Sequence, residues 1–294
     1  MSVRNDLRYR FAMLSVAEKL IFINALVYIL SGLIVFLFKL SNYTVSQWFH
    51  LPTNFMEFLV KPWTLITYSF FHGGFFHVLF NMILLYFSGR IFLNLYGNRR
   101  FLNVYFLGAM AGGLVFLISY NLFPVFLETN TYLIGASAAV MAVLIFVCTY
   151  IPNQEVRIIF FNVKLWYIGV FFVLLDLIQI PISNPGGHLA HLGGAFLGYI
   201  YARKLGEGKD IGAWFGNAVA SFGRWFKPSK KKPLRTVHRK KVKTEARPYA
   251  NSQQRRSEDI HQQKIDAILD KISKSGYESL SKEEKDYLFQ AGKD

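Results

Sequence analysis

The sequence of 294 residues contains one cysteine, Cys148. A single cysteine cannot form a disulfide within one chain, so the fold does not depend on an oxidising compartment. Because Cys148 lies inside an apolar run, we interpret it as a small packing residue.

The first apolar run lacks an obvious small-residue cleavage site and is long enough to span a membrane, so we expect no cleaved signal peptide.

Charged residues are scarce in the first two thirds of the chain and become frequent in its last third. Residues 20–202 form long apolar runs, whereas residues 203–294 are polar and begin strongly basic. Apolar runs of about 18 residues or more are typical of spanning helices, because a helix satisfies its own backbone hydrogen bonds in lipid. The sequence therefore predicts an all-α membrane protein, built as a six-transmembrane-helix bundle. The predicted spans are 20–38, 77–95, 101–123, 135–151, 163–180 and 188–203.

The distribution of Lys and Arg predicts how these spans are oriented. Basic residues occur before span one, between spans two and three, between spans four and five, and throughout the tail. The loops between spans three and four and between spans five and six contain no Lys or Arg. Because cytoplasmic loops carry an excess of basic residues, we expect both termini in the cytoplasm. The layout favours a multi-pass protein of a cell membrane.

The predicted loop between spans one and two, 39–76, is long and rich in Trp, Phe and Pro. Aromatic rings of this kind settle at the membrane interface. We therefore expect an ordered loop that dips into the membrane.

The sequence predicts four segments with different environments. A cytoplasmic N-terminal arm precedes the membrane core, and a juxtamembrane amphipathic helix with a basic linker follows it. The last segment favours a small helical hairpin, with Gly276 as a helix C-cap and Ser281 and Glu284 as a capping box. The four segments are residues 1–19, 20–203, 204–256 and 257–294.

The segment after the last span is predicted to lie on the membrane surface. Apolar residues at helical spacing indicate the amphipathic helix, and clusters of Lys and Arg follow it. The basic clusters favour attraction to anionic lipid. We expect no nucleic-acid partner, since anionic lipid is already a partner for a basic tail beside a membrane. The apolar stripe is Phe215, Val219, Phe222 and Phe226, and the clusters are 230–232 and 239–241.

Polar residues inside spans are costly and therefore indicate function. Span four opens with Gly135-Ala136-Ser137-Ala138-Ala139, a serine among small residues that let another helix or a substrate approach closely. The structural alternative is that the serine bonds its own helix backbone.

Span six has a histidine, His191, on a face that it shares with Gly187, Gly194 and Gly198. A glycine face allows another helix to come close and to meet the imidazole there. The glycine pattern alone is weak support, because it also serves ordinary helix packing.

Span two opens with His77 and Asn81, which are four residues apart and so point to one side of the helix. Both side chains can donate hydrogen bonds to a developing oxyanion. The alternative is a hydrogen bond between helices, which Asn and His also make in membranes.

Together these residues supply a nucleophile, Ser137, a base, His191, and two oxyanion donors. We expect no carboxylate to be suitably placed to orient His191, since Asp176 in span five and Glu128 in a loop are the nearby candidates. The sequence therefore predicts a Ser–His dyad.

A metal site is the competing interpretation of the histidines. His72, His77, His188 and His191 could in principle bind zinc. However, the sequence has no HExxH motif and, on this reading, no intramembrane carboxylate near them as a general base. We therefore predict no metal and no cofactor.

Over residues 20–202 the sequence resembles the rhomboid family of intramembrane serine proteases. The matching motifs stand in the family's order, at the non-cytoplasmic ends of spans two, four and six. They are H-x4-H-x3-N at His72, His77 and Asn81, G-x-S at Gly135 and Ser137, and A-H-x-x-G at Ala190, His191 and Gly194.

The resemblance implies that Ser137 attacks a peptide carbonyl while His191 takes its proton. It implies an oxyanion hole formed by His77, Asn81 and the Ser137 N–H. It also implies a water-accessible cavity capped by the loop 180–187, with span five as a lateral gate. The substrates would be membrane proteins with a transmembrane helix.

The sequence departs from the family pattern at three positions near the site. Ala138 stands where the family has glycine, and its methyl is expected to tighten the fit against span six. Met141 replaces a frequent tyrosine and is expected to pack on the catalytic imidazole without a ring. Thr64 follows Trp63 where the family often has arginine. We expect Gly135, Met141, Gly194 and His72 to support the site.

Two other functions compete with proteolysis. The first is a non-catalytic rhomboid-like protein that binds client transmembrane helices, against which the intact Ser137 and His191 argue. The second is a transporter or channel, which is disfavoured because the buried polar groups cluster at one membrane side and form no path across it.

Overall fold

The protein is described by a computed structural model that covers residues 3–158, 160–225 and 252–291. The chain divides into two compact units, Met1–Pro228 and Ser229–Asp294, and helices dominate both. The helices of the first unit are α1 (Val3–Met13), α2 (Val16–Leu37), α3 (Asn42–Ser46), α4 (Phe55–Val60), α5 (Thr64–Thr67), α6 (Phe75–Leu95), α7 (Asn98–Leu122), α8 (Ser137–Tyr150), α9 (Leu165–Gln179), α10 (Pro185–Gly206) and α11 (Ala213–Trp225).

Two small antiparallel sheets accompany the helices of the first unit. In the first, β1 (Leu51–Pro52) pairs with β2 (Tyr132–Leu133). In the second, β3 (Glu155–Ile158) pairs with β4 (Phe161–Lys164) as a hairpin between α8 and α9. The all-α expectation therefore holds for the bundle, while the loops add short strands.

The six predicted spans fall on the helices α2 and α6 to α10, with ends that differ by a few residues, and the number of helices that cross the membrane stays a prediction. Of these, α2, α6 and α7 are long and apolar enough to cross a membrane. The apolar helices α8 and α9 are shorter, with 14 and 15 residues. A helix of that length spans roughly 21 Å, less than the roughly 30 Å of a bilayer's hydrocarbon core.

The short helix α8 is the centre of the bundle. It is apolar on every side, and its residues 138–148 are all buried. A helix that is apolar all round is stable only when other helices surround it. Its partners are α6, α7, α9 and α10. Because these helices shield α8, it does not need the length that contact with lipid would require.

The helices α8 and α10 pack with their backbones in contact. A Cβ built at Gly194 would collide with the carbonyl oxygen of Ala138, and one at Gly198 would collide with that of Ala142. Both obstacles are backbone atoms, which no rotamer change can move. The glycine face predicted for span six is thus a close-packing surface against α8.

The long loop between α2 and α6 is folded, as the sequence predicts. It contains α3, β1, α4 and α5, and the Trp63 indole donates a hydrogen bond of 2.7 Å to the Trp48 carbonyl. The Thr67 hydroxyl donates another, of 2.9 Å, to the Phe49 carbonyl. Both tryptophans remain about half exposed, which suits a membrane interface.

Beyond α10 the chain turns back onto α7. Arg100 on α7 forms an ion pair of 3.0 Å with Asp210, and Asn103 donates a hydrogen bond of 2.9 Å to the Gly212 carbonyl. Of the predicted apolar stripe on α11, Phe215 packs on the core whereas Val219 and Phe222 are exposed. Phe226 and the two basic clusters lie outside the described residues.

The second unit contains α12 (Ser252–Ser275) and α13 (Lys282–Ala291). The Ser281 hydroxyl accepts from the Glu284 N–H and the Glu284 carboxylate accepts from the Ser281 N–H, so the predicted capping box is present. Lys271 on α12 pairs with Glu284 at 2.9 Å. Gly276 follows α12 with φ of +77°, as expected for a residue that ends a helix.

Candidate functional site

Ser137 is the first residue of α8 and is half-buried. The first N–H groups of a helix have no partner within the helix and carry its partial positive charge. Among the residues that the structure describes, no hydrogen bond engages the Ser137 N–H. The hydroxyl and a free backbone donor therefore stand together at one end of the central helix.

The loop before Ser137 is held by the segment that precedes α6. The β2 strand pairs with β1, the Gly135 N–H donates to the Tyr68 carbonyl at 3.0 Å, and the Ala136 N–H donates to His72 Nε2 at 3.3 Å. Tyr68 is itself fixed, since its hydroxyl donates to the Ala109 carbonyl at 2.7 Å. The position of Ser137 is thus set by contacts distant in sequence.

Gly135 is required at its position for two reasons. Its φ of +125° belongs to the left-handed region that favours glycine. A Cβ at Gly135 would lie 2.7 Å from His77 Nε2 and 3.5 Å from the Ser137 hydroxyl oxygen. Glycine therefore lets His77 and Ser137 share one small space.

The two histidines of the segment around α6 have distinct roles in this arrangement. Burial, with the neighbouring His77, lowers the pKa of His72 to about 3, so His72 is neutral and can accept the Ala136 N–H. The Gly73 N–H donates to His77 Nδ1 at 3.4 Å, which leaves the ring proton of His77 on Nε2. That N–H faces the space beside Gly135 and Ser137.

Asn81 lies one turn after His77 on α6 and is 6% exposed. Its side-chain amide donates a hydrogen bond of 2.9 Å to the His77 carbonyl. An amide has two N–H groups, so one remains for another acceptor. The structure therefore allows both the oxyanion role and a structural role within α6.

His191 lies on α10, on the face that packs against α8. It is half-buried and close enough to His77 for electrostatic interaction. Among the described residues, no hydrogen bond joins Ser137 to His191. In enzymes without substrate, catalytic hydrogen bonds are often long and tighten only when substrate binds.

The expectation that no carboxylate is placed to orient His191 is wrong. Asp176 on α9 lies with its Oδ1 atom 2.8 Å from His191 Nδ1 and 2.7 Å from His188 Nδ1. The reason is the short turn between α9 and α10, which forms a helical hairpin. Residues about equally far from the turn then face each other.

Within the part of the chain that the structure describes, the same three residues form a group that could hold a metal ion. The ligand atoms of Asp176, His188 and His191 all lie within 4.8 Å of one another. The carboxylate that the sequence interpretation missed is therefore also the one that a metal site would need. The expectation of no metal stays a prediction.

The remaining predicted positions lie around α8. A Cβ at Gly112 of α7 would meet the Ala138 methyl, whereas Gly194 of α10 faces the Ala138 backbone. The extra methyl is thus accommodated by a glycine of span three, where we expected a tighter fit to span six. Met141 is buried with residues of α8, α9 and α10, and its packing on His191 stays a prediction. Its cluster contains Leu144, Ile145, Cys148, Leu165 and Ala195.

The geometry brings most of the predicted residues to one end of the bundle. The contacts above join four of them: Ser137, Gly135, His77 and His72. The packing of α10 on α8 brings His191 close to His77. A hydroxyl, an imidazole with an acidic partner, and several N–H donors can support nucleophilic attack on a carbonyl group.

Comparison with known proteins gives a match that covers this site. A family model described as Rhomboid domain matches residues 59–208, which is half of the chain. A second model, described as a family of unknown function, matches residues 252–292, which include α12 and α13.

Individual relatives are similar over about half of the chain. RHOMBOID-like protein 12, mitochondrial, of Arabidopsis thaliana is 30% identical over 158 residues, which cover 50% of this chain and 47% of the relative. Presenilin-associated rhomboid-like protein, mitochondrial, is 33% identical in Rattus norvegicus over 149 residues, which cover 49% of this chain and 37% of the relative. The match thus spans less than half the length of these relatives.

Proposed function

The chain belongs to the rhomboid family, and from that premise we propose that it is an intramembrane serine endopeptidase that cuts transmembrane segments of other membrane proteins. Ser137 is the nucleophile and His191 the general base. The observation that carries the proposal is the start of α8. There a half-buried serine, whose N–H has no hydrogen bond among the described residues, precedes Ala138, which packs against Gly194 on the helix that bears His191.

The reaction is acyl transfer in two steps. His191 Nε2 takes the hydroxyl proton as Ser137 attacks the scissile carbonyl, and the imidazolium then gives that proton to the leaving amine. A water, activated by the same imidazole, hydrolyses the acyl-enzyme. The Ser137 N–H, His77 Nε2–H and Asn81 amide stabilise the oxyanion.

The membrane arrangement belongs to the same proposal. α2 and α6 to α10 are the six spans, both termini are cytoplasmic, and the tail after α11 is attracted to anionic lipid. Basic residues at the start of α7 and the end of α10 support this orientation in a cell membrane. The mitochondrial names belong to the relatives, and this chain's compartment is part of what we propose.

Substrate entry beside α9 is supported by the loose packing of that helix. Among its described residues, Leu165, Gly169 and Asp176 are the buried ones. An apolar cavity of about 860 Å³ lies between α6, α8, the β3–β4 hairpin and α9. A substrate helix that enters at this cavity displaces the Leu165 end of α9 and leaves the contact between Asp176 and His191 in place.

A fluorophosphonate probe tests the nucleophile and the base directly. We expect the detergent-purified wild-type protein to be labelled, because the probe reacts with an activated serine. Ser137→Ala and His191→Ala should both abolish labelling while the thermal unfolding midpoint stays near that of the wild type. A well-folded wild-type protein that takes no label would favour the non-catalytic alternative, a binder of client transmembrane helices.

Asn81→Ala should lower kcat by about 100-fold, because one oxyanion donor is lost. Asn24→Ala is the matched control: Asn24 on α2 is buried and donates the same kind of hydrogen bond, 2.9 Å, to the Leu20 carbonyl. Turnover of a transmembrane substrate and thermal stability should be measured for both. Equal stability losses with unchanged turnover would reassign Asn81 to a structural role in α6.

A further inference from the structure

Asp176 is a buried carboxylate that a Ser–His dyad does not use. Only 7% of its side chain is exposed, on a helix whose remaining residues are mostly apolar and outward-facing. An ionisable residue inside a membrane helix is costly and is retained for a function. Its Oδ1 atom lies within hydrogen-bond distance of two imidazoles, His188 and His191.

The two hydrogen bonds define where the ring protons are. A carboxylate oxygen can only accept, whereas a protonated Asp176 could donate a single proton to one of the two rings. Both contacts are satisfied when each Nδ1–H donates to the carboxylate. In that tautomer, Nε2 of His191 has a free lone pair, which is what removal of the Ser137 proton requires.

The distances favour hydrogen bonding over a shared metal ion. The carboxylate oxygen is 2.7 Å from one ring nitrogen and 2.8 Å from the other. Two ligands of one tetrahedral zinc with bonds of 2.0–2.1 Å are about 3.3 Å apart. A metal on Nδ1 would also leave the proton of a neutral imidazole on Nε2, so His191 could not act as a base.

We propose that Asp176 is the positioning residue for His191: its carboxylate holds the ring with the proton on Nδ1 and stabilises the imidazolium that forms when Ser137 is deprotonated. This inference rests on the proposed function. His188, three residues before His191 on α10, bonds the same oxygen and so helps to fix the carboxylate. The site is then a triad with a second, anchoring histidine.

The groups beside His191 come from three helices. Asp176 lies on α9, His188 on α10 itself and His77 on α6, while α8, which begins at Ser137, packs against α10. Among the described residues, Asp176 is the one acidic side chain that contacts His191. Its replacement therefore removes the negative charge from this cluster without touching another carboxylate.

Three variants separate positioning from simple helix packing. Asp176→Asn keeps the shape but removes the charge, and should lower kcat by about 100-fold or more with KM changed less than about threefold. Asp176→Glu restores the charge and should recover at least about a tenth of the wild-type kcat. His188→Gln removes the other bond to the same oxygen but leaves the carboxylate charge beside His191, and should therefore lower kcat by less than Asp176→Asn does.

Nitrogen NMR of labelled histidine gives a readout that does not need activity. The wild-type protein should show His191 as the Nδ1–H tautomer, and Asp176→Asn should show a mixture of tautomers. A His191 tautomer unaffected by Asp176→Asn would overturn the inference, as would equal kcat losses in Asp176→Asn and His188→Gln. Loss of activity on treatment with EDTA would also overturn it, because the cluster would then be a metal site.

These outcomes are distinct from a failure of the proposed function. If the wild-type protein neither reacts with the fluorophosphonate nor cleaves substrate, the proteolytic function fails. The tautomer of His191 still reports whether Asp176 positions the ring.

Discussion

Ser137→Ala should lower the rate of cleavage of a reconstituted transmembrane substrate by about 10⁴-fold or more, because the attacking oxygen is absent. The protein should stay folded, since the change removes one atom from a half-buried position at the start of α8. The rate should be measured in liposomes with a single-span substrate whose products are separated by size.

Ser88→Ala is the matched control for this change. Ser88 is buried on α6, and its hydroxyl donates a hydrogen bond of 2.6 Å to the Leu84 carbonyl of its own helix. It should keep nearly full activity. Cleavage by Ser137→Ala above the level of empty liposomes would show that another group is the nucleophile.

Gly194→Ala should destabilise the bundle and inactivate the site together. The new methyl would collide with the Ala138 carbonyl oxygen, so α8 and α10 must move apart. Overpacking of this kind costs about 1–3 kcal/mol of unfolding free energy. Ala138 is the residue after Ser137, and Gly194 lies three residues after His191. Moving the two helices apart therefore also moves the proposed nucleophile away from the proposed base. Thermal unfolding in detergent and probe labelling measure the two effects.

Gly32→Ala on α2 is the control, because a Cβ there has no atom within 4 Å. The same substitution should change stability by less than about 1 kcal/mol, in the stabilising direction expected for alanine in a helix. If Gly194→Ala were as stable and active as Gly32→Ala, the close contact between α8 and α10 would not exist in solution.

Helices were the most predictable part of the fold. Each predicted span reappears as a helix, because a long apolar run strongly favours one structure in lipid. The central position of α8 was not predicted, since neither its shortness nor its uniform apolarity says which helices surround it. The strands of β3 and β4 were also missed, because so short a hairpin has no run long enough to show a period of two.

The site residues that could be predicted are polar residues that stand inside apolar runs and whose helical spacing places them on one face. Ser137, His77 and His191 stand out as polar residues in apolar runs, and the structure joins their helices at one end. The contact of Asp176 with the histidines does not follow from helical spacing alone, but counting along the hairpin of α9 and α10 predicts it. Asp176 lies six residues before position 182 in the turn, and His188 lies six residues after that position, so an antiparallel hairpin brings the two together.

The attachment of the serine loop to the segment before α6 has a consequence for the order of assembly. The Ala136–His72 bond joins residues 64 apart in sequence, and the pairing of β1 with β2 joins residues still further apart. Helices form from local contacts, whereas contacts of long sequence separation close late because of their entropy cost. A newly inserted chain therefore acquires its helices before the loop that holds Ser137 is fixed in place, so the candidate site forms only when the bundle is complete.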